Sequence, residues 1–111
     1  MSEGGIMING LKALAHEGRA ALLRDIISAG QIGISSGRLA QKHKLNLTTT
    51  SAQLTVLFNA GLVMPERKGR SVIYRPNDKQ ISAVLAFLIR DVCQGRAEII
   101  WPLTDSTGHT F

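Results

Sequence analysis

Two short amphipathic patterns, a few residues apart and followed at once by two strand-like runs, leave a chain few ways to fold. Such a stretch runs here from Gly37 to Pro76. Its periodicity predicts a helix over residues 37–44, a second over 47–60, and a two-stranded ribbon, 62–67 returning as 70–75. Asn46 is a favoured N-cap for the second helix, and Gly61 before apolar Leu62 is a stop signal. Leu39, Ala40, Leu45, Leu47, Leu54, Leu57 and Phe58 are expected to form the joint core. Val72, Ile73 and Tyr74 favour strand, Gly69 supplies the turn, and Pro65 belongs on an edge strand.

The charge sits in the same stretch. Seven basic residues (Arg38, Lys42, Lys44, Arg67, Lys68, Arg70, Arg75) face one acid, Glu66, a local balance of +6 against +5 for the whole chain. The rest of the chain is therefore close to neutral, with six basic and seven acidic residues. An imbalance confined to one supersecondary unit is the footprint of a phosphate-facing surface.

Around this unit, residues 6–15 read as a helix with Ile8, Leu11, Leu14 and Ala15 on one side and Gly10 weakening its first turn. After a break at His16-Glu17-Gly18, residues 19–29 form a second helix with an inward stripe of Leu22, Leu23, Ile26 and Ile27, closed by Gly30. Residues 31–34 read as a small edge strand, and Ser35 or Ser36 caps the helix that follows. Asn77 or Asp78 caps a last helix over 79–94. Ile81, Val84, Leu85, Leu88, Ile89 and Val92 fill one of its faces, while Ala83, Ala86 and Phe87 make the other apolar too. One core cannot cover both faces, so a two-fold partner subunit is expected there, with Leu11, Ile81, Val84, Leu85 and Leu88 at the interface. The other solution is a central buried helix in a monomer. Residues 6–98 make one domain; 99–111 read as an extension in which Trp101, Pro102 and Leu103 fold back and the remainder is a flexible tail.

Several classes are set aside by what the chain contains. No apolar run approaches the ~18 residues of a membrane span, and Met-Ser-Glu-Gly-Gly is not the start of a signal peptide. One cysteine makes no internal disulfide, which fits a reducing cytoplasm. No nucleophile elbow, phosphate loop, HExxH or paired carboxylate points to an enzyme, and no cofactor is expected.

Helix, tight turn, helix and basic ribbon form the winged helix-turn-helix arrangement, mainly α with a small β-hairpin, in the order α-α-α-α-β-β-α. Its second helix must offer a small polar outer face to a major groove. Thr48, Thr49, Ala52 and Gln53 are expected on that face, with Ser51 at its margin and Thr55 a turn further. Gln53 has the groups to pair with adenine N6/N7, and the threonines suit phosphate or a thymine methyl. Arg67, Lys68 and Arg70 at the ribbon tip, with Arg38, Lys42 and Lys44 beside the helices, suit backbone phosphates. The competing reading is a winged-helix module that docks an acidic protein or RNA.

Leu11-Lys-Ala-Leu-Ala15 with Arg19, Ser51-Ala-Gln-Leu-Thr-Val-Leu57, Ala60-Gly-Leu-Val63 and Arg67-Lys-Gly-Arg-Ser-Val-Ile-Tyr-Arg75 resemble the ArsR-type family of dimeric winged-helix repressors across residues 8–98. The resemblance implies a homodimer on a palindromic operator, released by an inducer. It also implies base reading by the first half of the 47–55 helix and pairing of subunits through segments 6–15 and 79–94. The family's metal sites do not carry over. Where some members hold a Cys-x-Cys pair this chain reads Gln31-Ile-Gly-Ile-Ser-Ser36, and its last helix has no His. Where others hold several thiols it reads Asp91-Val-Cys93-Gln-Gly-Arg-Ala-Glu98, with one. A thiolate metal site needs three or four ligands, so no metal is expected. Cys93 is left as a possible redox or effector residue beside its plainer reading as a small buried side chain, the inducer stays unidentified, and His16, His43 and His109 are expected to be solvated.

Overall fold

The computed structural model describes residues 2–103. Helix α1 (Glu3–Leu14) is capped by Ser2, whose Oγ accepts from the Gly5 N–H, and α2 (Glu17–Ala29) by His16, whose Nδ1 accepts from the Arg19 N–H at 3.2 Å. A single tight turn over Gly30–Ile32 leads to β1 (Ile34–Ser35), so only the end of the expected 31–34 strand is extended. Ser35 caps α3 (Ser36–His43), and Asn46 caps α4 (Leu47–Asn59) through a 2.7 Å bond from the Thr49 N–H. Between them Lys44 adopts the left-handed conformation (φ 55), and the Leu45 N–H reaches back to the Ala40 carbonyl at 2.9 Å. That bond, with one from the Lys44 N–H to the Gln41 carbonyl at 3.2 Å, closes the tight turn of the helix-turn-helix.

Strands β2 (Val63–Lys68) and β3 (Ser71–Pro76) form the ribbon, and β1 adds to its other side in the antiparallel order β1-β3-β2. Pro65 therefore lies on an edge strand, where its missing N–H costs no ladder bond. Gly69 has a positive φ, as the first loop residue of a two-residue II′ hairpin requires. Asn77 ties the ribbon to α5 (Asp78–Ala86): its N–H donates to the Leu62 carbonyl, its Nδ2 to the Gly61 carbonyl, and its Oδ1 accepts from the Gln80 N–H. Beyond Ala86 the last helix widens into a π-helical segment, Phe87–Val92, in which the Cys93 N–H reaches the Leu88 carbonyl five residues back. A short helix, α6 (Ala97–Ile100), and a turn at Trp101–Leu103 follow, with Trp101 and Leu103 exposed. Residues 104–111, including His109 and the expected tail, lie outside the described residues. No helix among those described is long and apolar enough to cross a membrane.

One core joins α1, α2, α3, α4, the base of the ribbon and α5 through Met7, Leu22, Ile26, Leu39, Leu54, Leu57, Leu62 and Val84. Several expected inward stripes are rotated. On α1 the buried positions are Met7, Gly10 and Ala13, while Ile8 and Ala15 are exposed. Gly10 is a contact point: a Cβ there would stand 2.9 Å from Val84 Cγ2, so its lack of a side chain brings α1 close to α5. On α2, Asp25 is buried and Ile27 exposed. On α4, Thr50 (0% exposed) takes the inward place expected of Leu47 (54%) and Phe58 (49%), and Leu45 is also exposed. Thr50 tolerates burial because its hydroxyl donates to the Asn46 carbonyl at 3.0 Å.

The last helix splits its expected face. Val84 (3% exposed) packs inside the protomer, and Ile81, Ala83 and Phe87 lie against the core, whereas Leu85 (55%) points out. Val84 is thus not free to meet a partner, and Leu11 and Ile81 are half-buried in the protomer's own core. The outward apolar residues are Ile6 and Ile8 on α1 and Leu85 and Val92 on the last helix, with Leu88 half-buried.

Candidate nucleic-acid interface

The outer face of α4 carries Thr48, Ala52, Thr55 and Asn59, all exposed and spaced four, three and four residues apart. Thr49 is exposed beside them and Ser51 half-buried. The Thr55 hydroxyl donates to the Ser51 carbonyl at 2.9 Å, so outward it presents a methyl group and acceptor lone pairs. Asn59 was not among the expected site residues, although the 48-52-55-59 spacing alone places it on this face.

Gln53 was expected on this outer face, and its position is different. It lies on the flank of α4, half-buried, and its Oε1 accepts from Arg19 Nη1 at 3.0 Å.

The basic cluster is partly neutralised from within. Lys42 Nζ is 3.0 Å from Asp25 Oδ1, and His43 Nε2 is 2.5 Å from Asp25 Oδ2, so α3 is pinned to α2 by one buried carboxylate. His43 is therefore partnered rather than solvated, and His16 serves as the α2 cap. Burial alone would raise the Asp25 carboxyl, but the hydrogen bonds and charges of Lys42 and His43 outweigh it and hold the group below its ordinary value. On the ribbon, Arg75 Nη2 meets Glu66 Oε1 at 2.6 Å and its Nε donates to the Gln31 carbonyl at 2.8 Å. Arg75, by hydrogen bond and then by charge, lowers the Glu66 carboxyl. Lys68 is only loosely paired with Glu66, at 3.8 Å on the exposed surface.

Arg38, Lys44, Arg67 and Arg70 form no ion pair within the described residues. Arg38 stands in the first turn of α3, lining a groove with Ile34, Gln41 and Lys42. Lys44 is in the helix-turn-helix turn, and Arg67 and Arg70 are at the ribbon tip, all exposed. Free cations thus flank the polar face of α4 in sequence and along the wing, an arrangement able to neutralise phosphates while small side chains meet base edges.

No three of His, Cys, Asp and Glu gather within ligand reach among the described residues, and half-buried Cys93 ends the π-helical segment as the chain's one thiol.

Two helices joined by a tight turn, with a three-stranded wing behind them, define a winged helix-turn-helix protein. Comparison with known proteins places it more narrowly. It resembles an uncharacterized HTH-type transcriptional regulator, YbzH, of Bacillus subtilis (strain 168) at 28% identity, covering 73% of this chain and 93% of that one. An ArsR-like transcriptional regulator from Rhodococcus sp. RHA1 superposes with a TM-score of 0.69 at 22% identity, over 92% of this chain and 95% of that one. The homodimeric winged helix-turn-helix DNA-binding domain of a possible ArsR-family regulator from Mycobacterium bovis gives 0.63 at 26% identity, over 85% and 91%. No model of a protein family matches the chain. The resemblance read from the sequence holds in the fold: the chain is built as the ArsR-type winged-helix transcriptional regulators are.

Proposed function

We propose that the protein regulates transcription by binding duplex DNA as a homodimer, acting as a repressor that a signal releases from a palindromic operator. The observation that carries this reading is the division of the basic cluster. Asp25 and Glu66 take up Lys42, Arg75 and part of Lys68, and Arg38, Lys44, Arg67 and Arg70 are left without an acid among the described residues. Thr48, Thr49, Ala52, Thr55 and Asn59, with Ser51 at the edge, are the groups α4 offers to a groove. Small side chains and a shortage of strong donors point to readout that leans on DNA shape as well as base contacts. Ile6, Ile8, Leu85, Leu88 and Val92 supply the apolar surface for the second subunit. The regulators it resembles, one of them homodimeric, support both halves of the proposal.

Selection of duplexes from a random pool, followed by footprinting, tests it. The account expects an inverted repeat with half-sites ~34–36 Å apart. A pool that returns no enriched sequence, with no protection of any duplex, overturns it. If oxidant releases the DNA, Cys93→Ser abolishes that response, because Cys93 is the only thiol.

A further inference from the structure

Helices α1 and α4 flank a groove of about 280 Å³ lined by Asn9, Lys12, Ala13, Arg19, Val56, Asn59 and Ala60. One side chain bridges the two helices beside it. Arg19, half-buried in the first turn of α2, donates from Nε to the Ala13 carbonyl at 2.6 Å and from Nη1 to Gln53 Oε1 at 3.0 Å. The Ala13 carbonyl lies in the last turn of α1, where carbonyls have no helical partner. A guanidinium spent on two neutral acceptors from two other helices, with no acid on it among the described residues, acts as a brace between them. Gln53 lies next to the inward stripe of Thr50, Leu54 and Leu57, on the side of α4 away from Ala52.

We propose that Arg19 is a positioning residue that fixes α4 against the end of α1 through Gln53, and that Gln53 is a strut and not a base reader. Reading adenine through a glutamine needs both ends of the amide, the oxygen for N6–H and the NH₂ for N7. Here the oxygen already faces Arg19. Because α1 also carries Ile6 and Ile8 of the proposed subunit surface, the brace sets how the recognition helix is held relative to that surface, and hence to the second recognition helix. This last step rests on the DNA-binding reading; the Arg19–Gln53 coupling does not.

Arg19→Ala, Gln53→Ala, Gln53→Glu and the double alanine variant test it with two readouts. In urea unfolding without DNA, the double variant should be no less stable than Arg19→Ala, since removing one end already breaks the brace. In binding, at a temperature where all variants are folded, both single alanine variants should lose about five- to tenfold in preference for the selected duplex over random duplex. Affinity for random duplex and its salt dependence should stay unchanged. Gln53→Glu keeps an acceptor for Arg19 and should hold the preference within about twofold of wild type. Additive unfolding effects overturn the brace. Loss of preference in Gln53→Glu, or a new preferred base, returns Gln53 to the base-reading face. A wild type with no preference for any duplex sinks the DNA reading, while the unfolding cycle still decides the brace.

Discussion

The outer faces of α4 and of the last helix are both left uncovered by the protomer's core, and they are opposites. Thr48, Ala52, Thr55 and Asn59 are small or polar, flanked in sequence and along the wing by cations with no ion pair among the described residues. Leu85 and Leu88, in a stretch from Ser82 to Ile89 without a charge, and Val92 just beyond it are apolar. In the proposed function the first surface gains by releasing counterions from a polyanion and weakens with salt. The second gains by removing apolar area from water and depends on protein concentration instead. The contrast teaches that, on the proposed function, one short domain holds two binding surfaces with separable physics, so a substitution on one should leave the other's signature intact.

The largest expected effect breaks the apolar side. Leu85→Asp puts a charge in the centre of the proposed subunit surface and should weaken dimerisation about a hundredfold, read by sedimentation equilibrium. An unchanged association constant would remove the last helix from the interface. Next in size is the internal neutralisation. Asp25→Ala strands Lys42 and His43 and should cost about 1–3 kcal/mol in urea unfolding. Since the folded Asp25 carboxyl lies below its ordinary value, its contribution is full above the ordinary carboxylate range. That contribution is lost as pH falls through the depressed folded value; an acid limb identical in Asp25→Asn would contradict this. Smallest is Gly10→Ala, which sharpens how α1 meets the last helix. Overpacking Val84 costs about 1–3 kcal/mol, against about 1 kcal/mol gained from helix propensity. A net loss is expected, and a clear gain in stability would mean that the crossing has room to spare.

The central unit could be read from sequence because its markers act locally. Asn46, Gly61, Gly69, Pro65 and Asn77 each perform a backbone task within a few residues of themselves, and each does so in the structure. Helix phase could not be read the same way. Leu47 and Phe58 are more apolar than Thr50, but α4 is turned by its packing on α2 and α3, and Thr50 hides its hydroxyl on the Asn46 carbonyl. On the last helix, apolar residues on two faces and the widened turn over Phe87–Val92 left the inner stripe undetermined. Gly10 looked like a flaw in a helix and is a point where α1 packs directly against Val84 of α5. The site divides likewise. Its charge was visible as a count, but which cations are free depends on Asp25, 17 residues from Lys42, and the partner of Gln53 is Arg19, 34 residues away. No local signal reports such partners.

The most direct test of the phosphate-facing surface is the salt dependence of duplex affinity for wild type and for a variant carrying Ala at Arg38, Lys44, Arg67 and Arg70. The account predicts a steep wild-type fall in log affinity with log salt, flattened in the variant by about 0.9 for each phosphate contact removed. Equal slopes for the two proteins would contradict it.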